Sequence, residues 1–245
     1  MSLVDCLTAF HGTELPVRTG GYLRRCGQLH RYQLLKLPMH TVPMYMNVYR
    51  VQIGKGYALK YLLDQISLSD NLEDYDGFFI FDADNLLDEN YIKEMNMTFN
   101  DGYDAVTSYR NSKNFGDNWI SHGYGLWFLH EAQFLNRGRM RIGNSCMVSG
   151  TGYMISRELI EKNDGWNFFL LTEDIEFTAD CIANGVTIGY CERAEFYDEQ
   201  PTRLSVSWHQ RMRWVKGYFQ VYKKYGRQLL SQSWQKRADS PVSTC

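Results

Sequence analysis

Two carboxylates close a short hydrophobic run near the middle of this sequence. The run is GFFIF, residues 77–81, and Asp82 and Asp84 follow it one residue apart. Side chains at positions i and i+2 of an extended chain point the same way, and two facing carboxylates repel each other unless a cation lies beside them. A hard divalent cation such as Mg²⁺ or Mn²⁺ takes one or two carboxylates together with substrate phosphates. The pattern therefore predicts a cation site, although a solvated loop after a strand has a similar composition.

A second acidic group lies further along the chain in the segment TED, residues 172–174. The pattern that follows predicts a helix, so Glu173 and Asp174 fall in its first turn, where the helix dipole stabilises anions. Thr172 is a residue type that commonly caps a helix. The segment fits a pair of catalytic carboxylates, and it also fits ordinary helix capping.

A third group, QRMRW, combines a cation with an aromatic ring at residues 210–214. In a helix, Gln210, Arg213 and Trp214 fall on one face, at i, i+3 and i+4. The guanidinium of an arginine matches the geometry of phosphate, and the flat face of a tryptophan suits a sugar ring. Core packing explains Trp214 by itself but not the three residues together.

The elements that must position these groups follow from the hydrophobic periodicity. Helices are predicted over residues 54–66, 86–99, 125–140, 172–185 and 205–226, and strands over residues 77–81, 104–109, 146–156 and 186–191. Asp88 is a candidate cap for the second helix. Strands joined through a helix indicate an α/β sheet, and ligands of open α/β sheets bind at the carboxyl ends of the strands.

Composition limits the class of protein. The net charge of −2 argues against a nucleic-acid partner, and six cysteines without a C-x-x-C pair indicate neither a zinc site nor a disulfide framework. No apolar run approaches the roughly 18 residues that span a bilayer. We expect a poorly patterned segment at residues 1–50, a catalytic domain at 51–226 and a loose polar tail at 227–245.

In their order and spacing, the Asp-x-Asp pair, the G-T-G segment at residues 150–152, TED and Q-x-x-R-W resemble the family 2 glycosyltransferases. The resemblance covers about residues 54–226 and is nearest to the processive, membrane-associated branch that makes cellulose, hyaluronan and poly-N-acetylglucosamine. It implies a GT-A-like, Rossmann-like mixed sheet flanked by helices. The implied activity is inverting transfer from a nucleotide-diphosphate sugar, with a UDP-sugar favoured, to a saccharide in polysaccharide or cell-envelope glycan synthesis.

On the donor side, the resemblance implies that Asp82 and Asp84 hold the diphosphate through Mg²⁺ or Mn²⁺. Lys55, in a segment GKGYAL that resembles the family's lysine segment, would approach the same donor. Gln210 would contact the donor, and Arg213 would stabilise the charge that develops on the leaving diphosphate.

On the acceptor side, the resemblance makes Asp174 the general base that removes the proton of the attacking hydroxyl, with Glu173 beside it. Trp214 would stack on the acceptor sugar. The acceptor would also approach the chain at Gly150, Thr151 and Gly152, because glycine allows close contact with the backbone.

Parts of the family pattern are not found in this sequence. We find neither the Asn-Glu strand nor the second Asp-ended strand that bind the nucleotide, and the membrane helices that follow Q-x-x-R-W in processive members are also not found. We therefore expect a truncated or disrupted reading of a longer gene, whose full form would act at the cytoplasmic face of a membrane. The alternatives are an inactive binding remnant and, on the Asp-x-Asp pair, a haloacid-dehalogenase-type phosphatase.

A hydrophobic stripe on the last predicted helix leaves a further choice open. Its members recur at i, i+4, i+7, i+11 and i+14: Trp208, Met212, Val215, Phe219 and Tyr222. Such a stripe is typical of a helix that lies at a membrane surface and equally of one that packs on a sheet.

Overall fold

The computed structural model describes residues 5–10, 20–25, 28–33, 54–69, 75–82 and 84–238 of the chain. The strands of this part are β1 Asp5–Phe10, β2 Gly20–Arg25, β3 Gln28–Gln33, β4 Gly77–Asp82, β5 Leu86–Leu87, β6 Ala105–Ser112, β7 Tyr153–Ser156 and β8 Ile188–Asp198. The α-helices are α1 Lys55–Ser69, α2 Tyr91–Phe99, α3 Trp119–His130, α4 Arg137–Arg141, α5 Arg157–Lys162, α6 Glu173–Ala183 and α7 Leu204–Ala238, and a π-helical turn, Glu131–Asn136, joins α3 to α4.

Six strands form one mixed sheet in the order β1-β4-β7-β6-β8-β5, and β2 and β3 form a separate antiparallel pair. Strand β7 is antiparallel to both β4 and β6, whereas β6 and β8 are parallel. Strands β4, β6 and β8 therefore run in one direction and end at the same edge of the sheet. This mixed sheet flanked by helices confirms the predicted α/β, GT-A-like fold.

Both faces of β4 are buried, which explains its unbroken hydrophobic run. Phe78 and Ile80 belong to a core cluster that includes residues of α1, α5 and α6. Phe79 and Phe81 point to the other face and pack with Tyr91 of α2. Strand β4 is thus packed on both faces up to Asp82, which lies at the carboxyl edge of the sheet.

Several predicted helices and strands have different limits in the structure. Helix α2 begins at Tyr91, not at residue 86, because Leu86–Leu87 pairs with β8 as β5. The N-cap of this helix is Asn90, so the prediction of Asp88 as its cap is wrong; Asp88 instead accepts a bond from the Asn90 backbone in the preceding turn. The predicted strand at residues 146–156 is ordered as a strand only over Tyr153–Ser156, since the segment before it forms bends around Gly150 and Gly152.

The two ends of the described chain also contain more regular structure than the sequence indicates. Strand β1 pairs antiparallel with the edge of β4, and β2 pairs with β3, within the segment that we expected to be poorly patterned. The segments DCLTAF, GGYLRR and QLHRYQ lack the unbroken apolar run that identifies β4 in the sequence. Helix α7 continues through Ala238, past the predicted end of the domain at residue 226, and residues 239–245 lie outside the described part.

Helix α7 packs along α6 through small residues and polar contacts. A Cβ atom at Gly217 would lie 2.3 Å from the Thr172 hydroxyl oxygen, so the two backbones approach closely there. Further along, Lys224 Nζ pairs with Glu176 Oε1 at 2.6 Å, and Val221 and Tyr225 pack against α6. Within the described ranges, none of the helices has the length and apolar character required to cross a bilayer.

Candidate active site

The predicted donor residue Lys55 and the first carboxylate of the Asp-x-Asp pair are in direct contact. Lys55 Nζ lies 2.5 Å from Asp82 Oδ1 and donates a second bond to the Gly150 carbonyl at 2.8 Å. Lys55 is the first residue of α1, and Asp82 is the last residue of β4. The lysine therefore joins the carboxyl end of β4 to the G-T-G segment, two regions that are far apart in the sequence.

A hydrogen-bonded turn holds the chain around Asp82. The Asp82 backbone N–H donates to the Thr151 hydroxyl at 2.8 Å, and the Thr151 hydroxyl donates to the Asn85 side-chain oxygen. Thr151 is almost completely buried. Its side chain therefore holds the turn at Asp82. A contact between the Thr151 backbone and an acceptor stays a prediction.

Arg110 and Asp198 extend this network across the sheet. The buried Asp198 carboxylate accepts from Arg110 Nε at 3.1 Å, from Asn85 Nδ2 at 3.1 Å and from Gln200 Nε2 at 3.0 Å. Arg110 also donates to the Ser149 carbonyl at 3.0 Å. Because Arg110 is in β6 and Asp198 ends β8, the network ties three parallel strand ends to the loop before β7.

Asp84 is exposed beside this network. Partial burial, and then the negative charge of Asp198, raise the pKa of the Asp84 carboxyl above its ordinary value. Lys113 donates to the Asp84 backbone carbonyl and partly offsets this effect. Asp82 and Asp198 are already paired with Lys55 and Arg110, so Asp84 is the carboxylate that this edge of the sheet presents to a cation.

The donor set at this edge fits a divalent cation that also binds substrate. Within the part of the chain that the structure describes, no group of three or more His, Cys, Asp or Glu side chains forms a complete metal site. Mg²⁺ usually keeps only one or two protein carboxylates and takes its other ligands from phosphates and water. Two oxygen ligands from Asp82 and Asp84 are consistent with that mode of binding.

Glu173 and Asp174 occupy the first turn of α6, as predicted. Thr172 is at the N-cap, but its buried hydroxyl makes no hydrogen bond, so the side chain does not cap the helix. Burial, followed by the charge of Asp174, raises the pKa of Glu173 to about 8. Burial also raises the pKa of Asp174, while Lys55 and Arg110 lower it.

Asp174 faces the G-T-G segment. A Cβ atom at Gly150 would lie 3.6 Å from Asp174 Oδ2, and Gly150 has φ +74°, a conformation that side chains rarely adopt. The same glycine accepts the bond from Lys55. Lys55, Asp82, Gly150 and Asp174 therefore meet in one place, at the edge where the sequence predicts the site.

Residues 210–214 lie against α3 at one side of this site. Gln210 Oε1 accepts from the Tyr124 hydroxyl at 3.0 Å, and Trp214 is half-buried, with its ring edge-on to Tyr124 at a centroid distance of 5.9 Å. Arg213 is exposed, and its charge lowers the pKa of Glu173. The donor role of Gln210 and the acceptor role of Trp214 stay predictions.

Phe128 links this part of α3 to the strand ends. It shares a cluster with Tyr124 and Trp214, and the Arg110 guanidinium lies 3.8 Å from the centroid of its ring. The Q-x-x-R-W segment is therefore connected to the Asp82 network through Phe128 and Arg110.

Sequence reasoning missed Arg110, Asp198 and Glu131, a buried carboxylate next to this network. Asp198 lies beyond the predicted strand at residues 186–191, and the segment between them contains Glu192, Arg193 and Glu195, so no apolar run marks it as one marks Asp82. Arg110 directly follows the predicted strand at residues 104–109, and Glu131 lies inside a predicted helix; neither position indicates by itself that the side chain reaches the Asp82 network.

This edge of the α/β sheet combines acidic strand ends, a lysine at the first carboxylate and a carboxylate pair at a helix start. Residues 77–239 match the family model described as glycosyl transferase family group 2. The chain therefore belongs to this family. Membership favours glycosyl transfer over the phosphatase alternative.

Two curated relatives agree with this assignment. A beta-monoglucosyldiacylglycerol synthase of Synechocystis sp. is 25% identical over 163 residues, which cover 65% of this chain and 34% of that protein. The probable glycosyltransferase YdaM of Bacillus subtilis is 33% identical over 88 residues, which cover 36% of this chain and 21% of that protein. The matched part thus spans about a third or less of the length of these relatives.

Proposed function

We propose that this chain transfers a sugar from a nucleotide-diphosphate sugar, with a UDP-sugar favoured, to an acceptor hydroxyl with inversion at the anomeric carbon. The observation that carries the proposal is the meeting of Lys55, Asp82, Gly150 and Asp174 at the carboxyl edge of the sheet. Lys55 and Asp82, which would bind the diphosphate, lie there close to Asp174, the carboxylate that would activate the acceptor.

Asp82 and Asp84 are the residues that would hold a Mg²⁺ or Mn²⁺ ion. Such an ion would neutralise the charge of the donor diphosphate when bound. Lys55 would contribute a further positive charge to the donor, since it lies at Asp82. Arg213 would stabilise the leaving diphosphate from α7.

Asp174 would act as the general base. Its carboxylate lies beside Gly150, where glycine leaves room for an acceptor, and a raised pKa makes it a stronger base than an ordinary aspartate. Glu173 holds its proton to a higher pH than an ordinary glutamate does, because it is buried next to Asp174. Activity should therefore rise with pH as Asp174 loses its proton.

Two classes of acceptor agree with the observations. The resemblance to polysaccharide synthases implies a saccharide. The relatives named as beta-monoglucosyldiacylglycerol synthases, together with the exposed hydrophobic stripe on α7, favour the hydroxyl of a lipid-linked acceptor. Transfer of labelled sugar to an oligosaccharide or to a diacylglycerol-based lipid in mixed micelles distinguishes the two.

We also propose that the protein acts at a membrane surface. The α7 stripe, Trp208, Met212, Val215, Phe219 and Tyr222, is 41–66% exposed and does not pack on the sheet. The opposite side of α7 contains Gly217, Val221 and Tyr225, which contact α6. The helix contains Lys and Arg but no Asp or Glu, a composition that suits anionic lipid headgroups.

Calorimetric titration of UDP with and without Mn²⁺ tests the donor site. We expect binding that needs Mn²⁺ and is lost in Asp84→Ala but kept in Asp101→Ala, a variant of an exposed aspartate on the turn after α2. Turnover of a panel of UDP-sugars by the same protein then tests transfer. Metal-independent UDP binding that is equal in both variants would contradict the donor site, and binding without turnover of any sugar would favour the inactive-remnant alternative.

A further inference from the structure

A lysine outside the recognised motifs reaches the Asp-x-Asp turn from a second element. Lys113 directly follows β6, and its ammonium donates a hydrogen bond to the backbone carbonyl of Asp84. The proposed mechanism places Lys55 at Asp82 and assigns no role to Lys113. Both aspartates of the pair thus have a lysine, one from the start of α1 and one from the end of β6.

The chain around Lys113 is anchored to the end of β8. The Lys113 backbone N–H donates to the Asp198 carbonyl at 2.9 Å. Next to it, Asn114 Nδ2 donates to the Gln200 carbonyl at 2.8 Å, and Asn114 Oδ1 accepts from the Gln200 backbone N–H at 2.9 Å. These bonds fix the start of the lysine side chain at the carboxyl edge of the sheet. A group that is held in place before its ligand arrives loses little freedom on binding.

The two lysines differ in what their charges already contact. The Lys55 side chain is 15% exposed, and its ammonium pairs with the Asp82 carboxylate at 2.5 Å. The Lys113 ammonium is bound instead to a neutral carbonyl at an exposed position. An ammonium has three N–H groups, and the Asp84 carbonyl uses one of them. The positive charge of Lys113 therefore lies next to Asp84, the carboxylate that is most accessible to a metal ion.

The charge balance of the proposed reaction explains why a second lysine suits this position. Mg²⁺ binds one or two carboxylates together with substrate phosphates, so a diphosphate held at Asp84 lies next to Lys113. The diphosphate gains negative charge as the sugar leaves, and a fixed cation beside it stabilises that charge. Lysine commonly binds phosphate as a point charge. Without a diphosphate, the same ammonium repels a metal ion at Asp84.

We propose that Lys113 binds the diphosphate of the donor and of the product nucleotide, as a second cation in addition to Lys55. The inference rests on the proposed function, since it takes the Asp-x-Asp turn as the place of the diphosphate. A lysine that only stabilises the turn would act through its bond to the Asp84 carbonyl, and its charge would be dispensable. The two roles thus depend on different properties of the same side chain.

Lys113→Gln separates the two roles, because the amide keeps an N–H group for the Asp84 carbonyl but has no charge. We expect the Kd of UDP at saturating Mn²⁺, measured by calorimetric titration, to rise about tenfold or more, because charge-assisted bonds are the stronger class. The Kd of Mn²⁺ without nucleotide, measured from the EPR signal of the free ion, should stay the same or fall. The repelling charge beside Asp84 is then gone.

Three further variants complete the test, and circular dichroism establishes that each is folded. Lys113→Arg keeps the positive charge, so its Kd for UDP should lie closer to that of wild type than to that of Lys113→Gln. Lys93→Gln changes an exposed lysine of α2 and is the matched control, which should leave both constants unchanged. Lys113→Met also removes the charge and supplies the same comparison if Lys113→Gln does not fold.

Three outcomes would overturn the inference. An unchanged Kd of UDP in folded Lys113→Gln would show that the charge does not contact the diphosphate. Equal weakening of Mn²⁺ binding and UDP binding would show that the lysine acts only through the turn, and so would a loss in Lys113→Arg as large as that in Lys113→Gln. Failure of the proposed function looks different, because the wild-type protein would then bind no UDP in the presence of Mn²⁺.

Discussion

At the residue scale, the carboxylates differ in what they already contact. Asp82 is paired with Lys55, Asp198 is saturated by Arg110, Asn85 and Gln200, and Asp84 is exposed. Asp198 therefore supports the turn, because its oxygens are engaged by the protein. Asp84 is the carboxylate that is most accessible to a cation and its diphosphate.

Asp174→Asn tests the proposed base. The amide keeps the size of the side chain but cannot take a proton, so we expect kcat for transfer to fall by about 10²–10⁴-fold. Donor binding, measured by UDP titration, should change little because Asp82 and Asp84 are intact. Loss of UDP binding in this variant would show instead that Asp174 belongs to the donor site.

Glu173→Gln should change how stability depends on pH. Burial raises the pKa of Glu173 from its ordinary value of 4.5 to about 8 in the folded protein. Its contribution to stability is therefore fully present below pH 4.5 and is lost as the pH rises through 8. The neutral glutamine removes that loss. We expect the variant to have a higher free energy of unfolding in urea than wild type at pH 8. This advantage should exceed the one at pH 4.5 by on the order of 1–3 kcal/mol.

The exposed Glu89→Gln is the control for this measurement. It should leave the difference in stability between the two pH values unchanged. A Glu173→Gln variant whose stability parallels that of wild type at both pH values would mean that folding does not raise the pKa of Glu173.

At the element scale, the placement of α7 on α6 depends on one glycine. The missing side chain at Gly217 lets the helix approach Thr172, which is buried at the start of α6 directly before Glu173 and Asp174. Arg213 lies one turn earlier on α7, so this contact sets its position relative to Glu173 and Asp174.

Gly217→Ala tests that contact. Alanine normally stabilises a helix relative to glycine by about 1 kcal/mol, but here its Cβ would clash with Thr172, so we expect a net loss of about 1–3 kcal/mol in urea unfolding. Gly123→Ala in α3, where a Cβ meets nothing within 4 Å, is the matched control and should stabilise. Adding Thr172→Ala to Gly217→Ala should restore most of the loss; no recovery in the double variant would argue against a direct clash.

At the scale of the whole molecule, α7 places its hydrophobic stripe on the side that faces away from the sheet. A stable helix normally buries such a stripe. The described protein leaves it exposed, and Lys216 and Lys223 lie on the same helix. The proposed membrane role rests on this basic, aromatic surface of the described residues.

Vesicle sedimentation tests this surface. The protein should bind vesicles that contain anionic lipid and should bind less as the salt concentration rises, because the electrostatic part is screened. Trp208→Ser with Phe219→Ser should weaken binding by about tenfold or more, since two large apolar side chains no longer enter the interface. Leu68→Ser with Met97→Ser removes exposed apolar side chains from other helices and should have little effect; equal losses in both pairs would exclude a specific surface.

The sequence by itself determined the local features. The apolar runs and helical periods predicted β4, β6, α1, α6 and most of α7, because side-chain burial on a strand or helix repeats at short, fixed intervals. The order of the motifs indicated the family, and the position of Asp82 at a strand end indicated the edge where the site lies.

Only the tertiary structure decided which groups meet. Arg110 and Asp198 are 88 residues apart, and Lys55 and Gly150 are 95 apart, so no local pattern can predict that they bind each other. The π-helical turn that holds Glu131 and the outward direction of the α7 stripe depend on how whole helices pack. Such contacts result from the packing of complete elements around two core faces, whereas the short-range pattern of a sequence determines only which side of each element can be buried.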